Sequence, residues 1–258
     1  MIIDFKKYSS VRIGGKFEVE VLDDIDVFDG FIVGGANNLL VSNDKKKLGI
    51  LSKKFDFIDI LEKNEKYMLI NIGCATKSSK IYKFAKENNL KGFEFLRKIP
   101  GLLGGLIKMN AGLKDENISK YLLSVRSAKK EKQKDELCFS YRYCNEKDVM
   151  FSAKFRLEYG FDKERDEILK NMRDNQPSGA SFGSIFKNPP NDYAGRLIEA
   201  VGLKGFCKND ACFSDKHANF LINKKNATFE DAIFLIELAE KRVFENFGIK
   251  LQREVVII

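Results

Sequence analysis

The chain has 258 residues, above the usual size of one domain, so two packed units or one large α/β unit are the starting expectation. Hydrophobic residues make up 44% and charged residues 32%, and no stretch approaches the ~20 apolar residues of a membrane helix, which excludes a bilayer-spanning helix and points to a soluble globular protein. The net charge of +8 favours anionic partners, but it is spread along the chain and does not by itself choose between nucleic acid, a dinucleotide and a nucleotide sugar.

The N-terminal stretch MIIDFKKYSSVRIGG lacks the basic region, apolar run and cleavage site of a secretory signal, so a cytoplasmic location is expected. Cys74, Cys138, Cys144, Cys207 and Cys212 are odd in number and contain no C-x-x-C pair, which reads as reduced thiols filling core space and gives no metal site.

In chain order, strands are expected at Phe17–Leu22, Phe31–Gly35 and Tyr67–Gly73. A helix follows from an N-cap at Thr76, with Ile81, Phe84 and Ala85 on one face and an end near Asn88. A short helix is expected after Pro100-Gly101. From Val149 to Tyr159 apolar residues alternate strictly, the pattern of a half-buried strand. Helical spacing returns with Phe161, Ile168, Leu169 and Met172, so a domain boundary is set near residue 160. Thr228 and Asp231 form a capping box for a long helix that Gly248 ends, and LQREVVII closes the chain as a strand.

Three stretches carry chemistry. Gly34-Gly35-Ala36-Asn37-Asn38-Leu39 follows an apolar strand without matching G-x-G-x-x-G. Its glycines and asparagines suit an anion-binding nest for a pyrophosphate, and taken alone a tight turn between strands ranks ahead of that reading. Pro100, Gly101, Gly104 and Gly105, leading to Asn110, would open a helix to a close-lying phosphate or to another backbone. Together the two clusters bring the phosphate reading level with the structural one. In Gly183-Ser184-Ile185-Phe186-Lys187-Asn188 a hydroxyl stands among bulky apolar residues with a cation three positions on, and with His217 as the sole histidine a Ser-His hydrolase is set aside. Arg142 and Glu254 read from spacing alone as surface charges.

Taken in order, YSSVRIGG (8–15), GGANNLLVSN (34–43), IPGLLGG (99–105), MNAG (109–112), FSYR (139–142), GSIFKNP (183–189), AGRLIEAVGLKG (194–205), KHANFLIN (216–223) and REV (253–255) resemble the UDP-N-acetylenolpyruvoylglucosamine reductases. The likeness covers nearly the whole chain, and nine pieces in family order are specific where single ones are weak. It implies an α+β protein: an FAD-binding domain of the vanillyl-alcohol-oxidase (PCMH-type) superfamily over 1–160 and a smaller α+β substrate-binding domain over 161–258. The chain resembles the shorter class, without the extra segment and mobile tyrosine loop.

By that resemblance Ser184, Arg142 and Glu254 match the catalytic positions. Gly34, Gly35, Ala36, Asn37, Asn38, Leu39, Pro100, Gly101, Gly104, Gly105 and Asn110 would bind noncovalent FAD, with NADPH as reductant, and Lys187 and Asn188 would meet the UDP-sugar substrate. Ala36 and Asn37 stand where the family usually has Gly and Ser, and Asn175 stands where a basic residue often precedes Gln-Pro. The implied reaction needs a cation for the carboxylate, met by Arg142. It needs a proton donor, met by Ser184 with Lys187 polarising it. Glu254 would donate a hydrogen bond from a carboxyl kept protonated by burial. The rival readings are a flavoprotein oxidase of the same superfamily and a basic nucleic-acid binder without catalysis. No run pairs basic residues with aromatics as single-strand binders do, so nucleic acid is not an expected partner.

Overall fold

The computed structural model describes every residue except Asn43, Lys45 and Asn175, and the backbone alone at Arg173 and Asp174. The departure noted at Asn175 therefore lies outside the described residues. The molecule mixes helices with largely antiparallel sheets and divides into two compact units that are not consecutive in sequence: Met1–Glu18, Ala36–Lys46 and Gln176–Ile258 form one, Val19–Gly35 and Lys47–Asn175 the other.

The second of these units is built on a five-stranded antiparallel sheet in the order Glu131–Gln133, Leu122–Ser127, Met150–Glu158, Tyr67–Gly73 and Ile58–Lys63. Its two central strands follow the alternation of the sequence: Met68, Ile70 and Ile72 point inward from one, and Phe151, Phe155 and Leu157 from its neighbour. Helices Ser78–Glu87 and Leu103–Lys108 cover this face with Ile81, Leu103 and Ile107. Phe93 meets Phe155 edge-on at 5.4 Å between ring centroids, and each such fully buried ring contributes about 2–3 kcal/mol of burial.

The other unit packs Val11, Ile13 and Leu40 against Phe182, Ile185, Leu235 and Val243. Its four-stranded antiparallel sheet runs Ala180–Ser184, Phe220–Asn223, Ala211–Phe213, Cys207–Lys208. The long helix Phe229–Phe247 opens as the sequence suggests. Thr228 Oγ1 accepts from the Asp231 N–H, Asp231 Oδ2 accepts from the Thr228 N–H, both at 3.1 Å, and Gly248 ends the helix at φ +66°.

Four expectations change. The partition does not follow one cut near residue 160, because Leu39–Leu40 pairs in parallel with Val256–Ile257 and so ties an early segment to the C-terminus. Helix Lys163–Asp174 belongs with the sheet before it: Asp166 Oδ2 accepts from the Tyr82 hydroxyl and from Arg97 Nη1, both at 2.9 Å, and Leu169 is buried beside Ile81 and Leu96. Thr76 does not cap the Ser78–Glu87 helix; it is buried and donates to the Phe57 carbonyl at 3.1 Å, so Lys77 takes the cap position without a side-chain bond. Finally, Cys207 and Cys212 are not thiols but a disulfide with an S–S distance of 2.09 Å. They stand directly opposite in the hairpin that the Asn209-Asp210 turn closes, a pairing their scattered spacing conceals. Cys74 and Cys144 are free and buried, and Cys138 is free and exposed. Among the described residues no helix is long and apolar enough to cross a membrane.

Candidate active site

Ser184 ends the Ala180–Ser184 strand beyond an irregularity. Ser181 pairs with Ile222 but Ser184 pairs with Phe220, so one extra residue is inserted and the alternation of the strand is reset before Ser184. Gly183 makes this possible with φ +85°, a conformation that disfavours any side chain, and its N–H donates to Ser181 Oγ at 3.1 Å. Ile185 and Phe186 then plunge into the core, fixing the backbone immediately after Ser184. Among the described residues the Ser184 hydroxyl has no hydrogen-bond partner, and Lys187 does not reach it: the Lys187 N–H donates to the Gln252 carbonyl at 2.8 Å, while its ammonium makes no bond among the described residues. The expected polarisation of Ser184 by direct contact with Lys187 is therefore absent. Asn188 Oδ1 accepts from the Ala194 N–H at 3.1 Å, which ties it to the start of the Ala194–Ala200 helix.

Glu254 is brought to the same place by backbone pairing. The N–H groups of Glu254 and Val255 both donate to the Ile185 carbonyl, at 2.8 and 3.2 Å, one residue from Ser184. Arg253, next to it, is held by a two-pronged bond to Glu240 at 2.6 and 2.7 Å. The first glycine stretch joins this assembly at its far end. Asn38 Nδ2 donates to the Glu254 carbonyl at 2.8 Å, the Asn38 carbonyl accepts from the Val256 N–H at 3.0 Å, and Leu39 pairs with Val256. Ser184, Glu254 and Asn38 thus sit on three knitted segments of one unit.

In the other unit Arg142 occupies the two-residue tip of the hairpin Phe139–Ser140 and Tyr143–Cys144, in the left-handed region at φ +56°. Its guanidinium stacks on Tyr141 at 5.0 Å and donates to the Gly112 carbonyl at 3.4 Å, which aims the group and restricts its sweep. Asn110 supports the hairpin from below. It is buried at φ +41°, its Nδ2 donates to the Ser140 carbonyl at 3.1 Å, and its Oδ1 accepts from the Ser119 N–H at 3.4 Å. The side chain expected at the flavin is therefore committed to the segment that carries Arg142.

The glycine stretches divide by use. At the start of helix Leu103–Lys108 the N–H groups of Leu103 and Gly104 are taken by the carbonyls of Thr76 and Cys74, at 2.9 and 3.0 Å, and the Gly101 carbonyl accepts from Ser78. Gly104 also packs on Cys74, so this part of IPGLLGG joins the helix to the sheet more than it offers amides to an anion. Gly105 and Gly34 differ, since a Cβ at either would meet nothing within 4 Å. Space beside a glycine is what a closely approaching ligand needs, and these two glycines have it. Ala36 is buried at φ +48°, held by the N–H of Ser10 on its carbonyl at 3.2 Å, while Pro100 is exposed.

A family model described as the C-terminal domain of UDP-N-acetylenolpyruvoylglucosamine reductase matches residues 175–258. A UDP-N-acetylenolpyruvoylglucosamine reductase of Campylobacter jejuni strain RM1221 is 66% identical over 258 residues, covering 100% of both chains. One of Helicobacter hepaticus is 46% identical, covering 100% of this chain and 98% of its own length. The chain belongs to the UDP-N-acetylenolpyruvoylglucosamine reductase family. The crystal structure of the Thermus caldophilus reductase aligns with a TM-score of 0.85 at 26% identity, over 100% of this chain and 98% of that one, so the reductase fold extends through both units.

One buried residue next to the Ser184 segment escaped the sequence reading. Asn219 is buried within the apolar run Ala218-Asn219-Phe220-Leu221 and bonds the main chain at Ile185 and Phe186. A polar residue inside an apolar run was its available signal, since burial obliges such a group to find partners. A half-open pocket of about 240 Å³ in the same unit, of mixed lining that includes Ser178, Phe213, Ser214, Lys216, Ile222 and Lys224, was likewise not anticipated.

Proposed function

We propose that this reductase holds FAD noncovalently and uses NADPH to reduce the enolpyruvyl group of UDP-N-acetylenolpyruvoylglucosamine, giving UDP-N-acetylmuramate in the cytoplasm. The observation that carries the reading is the pairing of Glu254 and Val255 with the Ile185 carbonyl, which sets two of the three implied catalytic residues on adjoining backbone. The fold proposed for the flavin part is that of the vanillyl-alcohol-oxidase superfamily. The space beside Gly34 and Gly105 fits a pyrophosphate, with Asn37 and Asn38 near the former in sequence. The flavin, when bound, relays two electrons from the nicotinamide to the substrate as hydride.

This chain's residues then have three tasks. Arg142, oriented by Tyr141 and Gly112, holds the substrate carboxylate toward which negative charge moves when the terminal carbon accepts hydride. Ser184, without a competing hydrogen bond among the described residues, delivers a proton to the adjacent carbon. Glu254, in its protonated form, donates a hydrogen bond to the same developing charge. Lys187 and Asn188 follow Ser184 in the chain and face the nucleotide sugar, and Lys216 and Lys224 supply cations for its anionic part.

A flavin spectrum tests this reading. The purified protein should be yellow, lose its visible absorbance with NADPH under nitrogen, and regain it on addition of the enolpyruvyl substrate. Acid precipitation should release the colour into the supernatant. A colourless protein, or reoxidation by oxygen alone and not by substrate, would overturn the assignment in favour of a non-flavin protein or an oxidase.

A further inference from the structure

We infer that Asn219 is a positioning residue for the reaction: it holds the Ser184-bearing and Glu254-bearing segments in register through the backbone of Ile185 and Phe186. The inference rests on the role proposed for Ser184. Asn219 is 3% exposed and its amide is bracketed by one neighbour, with Phe186 N–H donating to Oδ1 at 2.9 Å and Nδ2 donating to the Phe186 carbonyl at 2.8 Å. Its own carbonyl accepts from the Ile185 N–H at 2.8 Å, and its N–H donates to His217 Nδ1 at 3.3 Å. The Ile185 carbonyl, in turn, receives the N–H groups of Glu254 and Val255.

Two features make this a clamp with a purpose beyond filling the core. The strand ladder is irregular between Ser181 and Ser184 and resumes only at the Ser184–Phe220 pair, so regular pairing does not fix the chain just before Ser184. Gly183 adds freedom at the same point. Beyond Ser184 the Asn219 main-chain carbonyl takes the Ile185 N–H and the Asn219 side chain brackets Phe186, which anchors the chain after the irregularity, and a proton donor displaced by 1 Å can lose ~10²-fold in rate.

The chemistry of the amide supplies a discriminating test. Asn219→Ala removes both side-chain bonds and should slow flavin reoxidation by the enolpyruvyl substrate about 10²-fold, leaving flavin reduction by NADPH within about twofold. Asn219→Asp is more telling, because a protonated carboxyl donates and accepts as the amide does, whereas a carboxylate opposes the Phe186 carbonyl and is left with no proton to give. Burial and that opposition raise its pKa, so reoxidation should recover toward the parent rate as pH falls from 8 to 5, relative to the parent at each pH. His217 is the neighbouring titratable group; its pKa is pushed down by burial and further by the Lys204 charge, and it is common to parent and variants.

Asn223 serves as the structural control. It is a buried asparagine at the end of the Phe220–Asn223 strand that Asn219 precedes, and its side chain bonds Val11, Arg12 and Ala227 instead. Asn223→Asp should lower the melting temperature without a selective, pH-reversible loss of reoxidation. A readout independent of flavin is amide hydrogen exchange, which should quicken at Ile185, Phe186, Glu254 and Val255 in Asn219→Ala. Equal slowing of both half-reactions, or the same pH response in Asn223→Asp, would overturn the inference. If Ser184→Ala slows reoxidation while Asn219→Ala does not, the clamp fails and the proton-donor role survives. If Ser184→Ala leaves reoxidation intact, both fail.

Discussion

The two units fasten their candidate residues by different chemistry. Around Ser184 and Glu254 the ties are mostly neutral, backbone amides and the side chains of Asn38, Asn188 and Asn219, with the Arg253–Glu240 pair as the ionic exception. In the unit that carries Arg142 three buried acids are matched with cations. Asp166 takes Arg97 and Tyr82, Glu116 takes Arg165 at 2.8 Å and Lys120 at 2.9 Å, and Glu146 takes Lys132 at 2.8 Å. Neutral clamps hold a geometry at any pH that leaves the chain folded. Ionic clamps hold helix Lys163–Asp174 only while the acids are ionised, and losing one partner strands the other. The difference predicts that mutations near Ser184 act on rate, whereas those in the ionic network act on stability.

The largest effect expected in the Arg142-bearing unit is at Arg142 itself. Arg142→Ala should reduce the rate of reoxidation by substrate about 10²–10³-fold and weaken substrate binding, because the carboxylate contact exists before and during the reaction. Stopped-flow kinetics with a substrate titration measures both. An unchanged substrate affinity would break the comparison by making Arg142 one more structural cation.

Asp166→Ala should cost about 3 kcal/mol in urea unfolding, since Arg97 would lose a buried partner and the Tyr82 hydroxyl its acceptor. The substrate half-reaction should stay within a few-fold of the parent wherever the protein is folded. Asp231 tests the smaller scale in the neutral unit. Burial pushes its carboxyl up, but hydrogen bonds from Thr228 and Asn209 outweigh this and leave its pKa below the ordinary range. A depressed carboxyl contributes stability that is complete above the unfolded value of about 3.9 and lost as pH falls through the folded one. Asp231→Asn should remove that acid-side loss while costing about 1 kcal/mol at pH 7, read from thermal melts between pH 7 and 3.

Much of the scaffold was legible because its signals are local. The alternation in Met150–Glu158 and the Thr228, Asp231 and Gly248 punctuation of the long helix are set by residues within a few positions. What escaped depends on partners far along the chain. The pairing of Leu39–Leu40 with Val256–Ile257 moves an early segment into the C-terminal unit, and Asp166 finds Arg97 and Tyr82, which lie 69 and 84 positions away. The site divides in the same manner. Ser184, Arg142 and Glu254 are proposed through ordered likeness to a family, since each alone reads as an ordinary polar residue. Asn110 and Asn219 act by bonding main chain, at Ser140 and at Phe186, and sequence does not display which backbone a buried amide will meet.

The most direct test of the account follows Ser184→Ala through both half-reactions by stopped flow. Flavin reduction by NADPH should proceed at nearly the parent rate, and reoxidation by the enolpyruvyl substrate should fall ~10²–10⁴-fold, with Ser184→Cys retaining more activity than Ser184→Ala. Equally severe slowing of flavin reduction would make Ser184 a structural or cofactor-binding residue and contradict its role as proton donor.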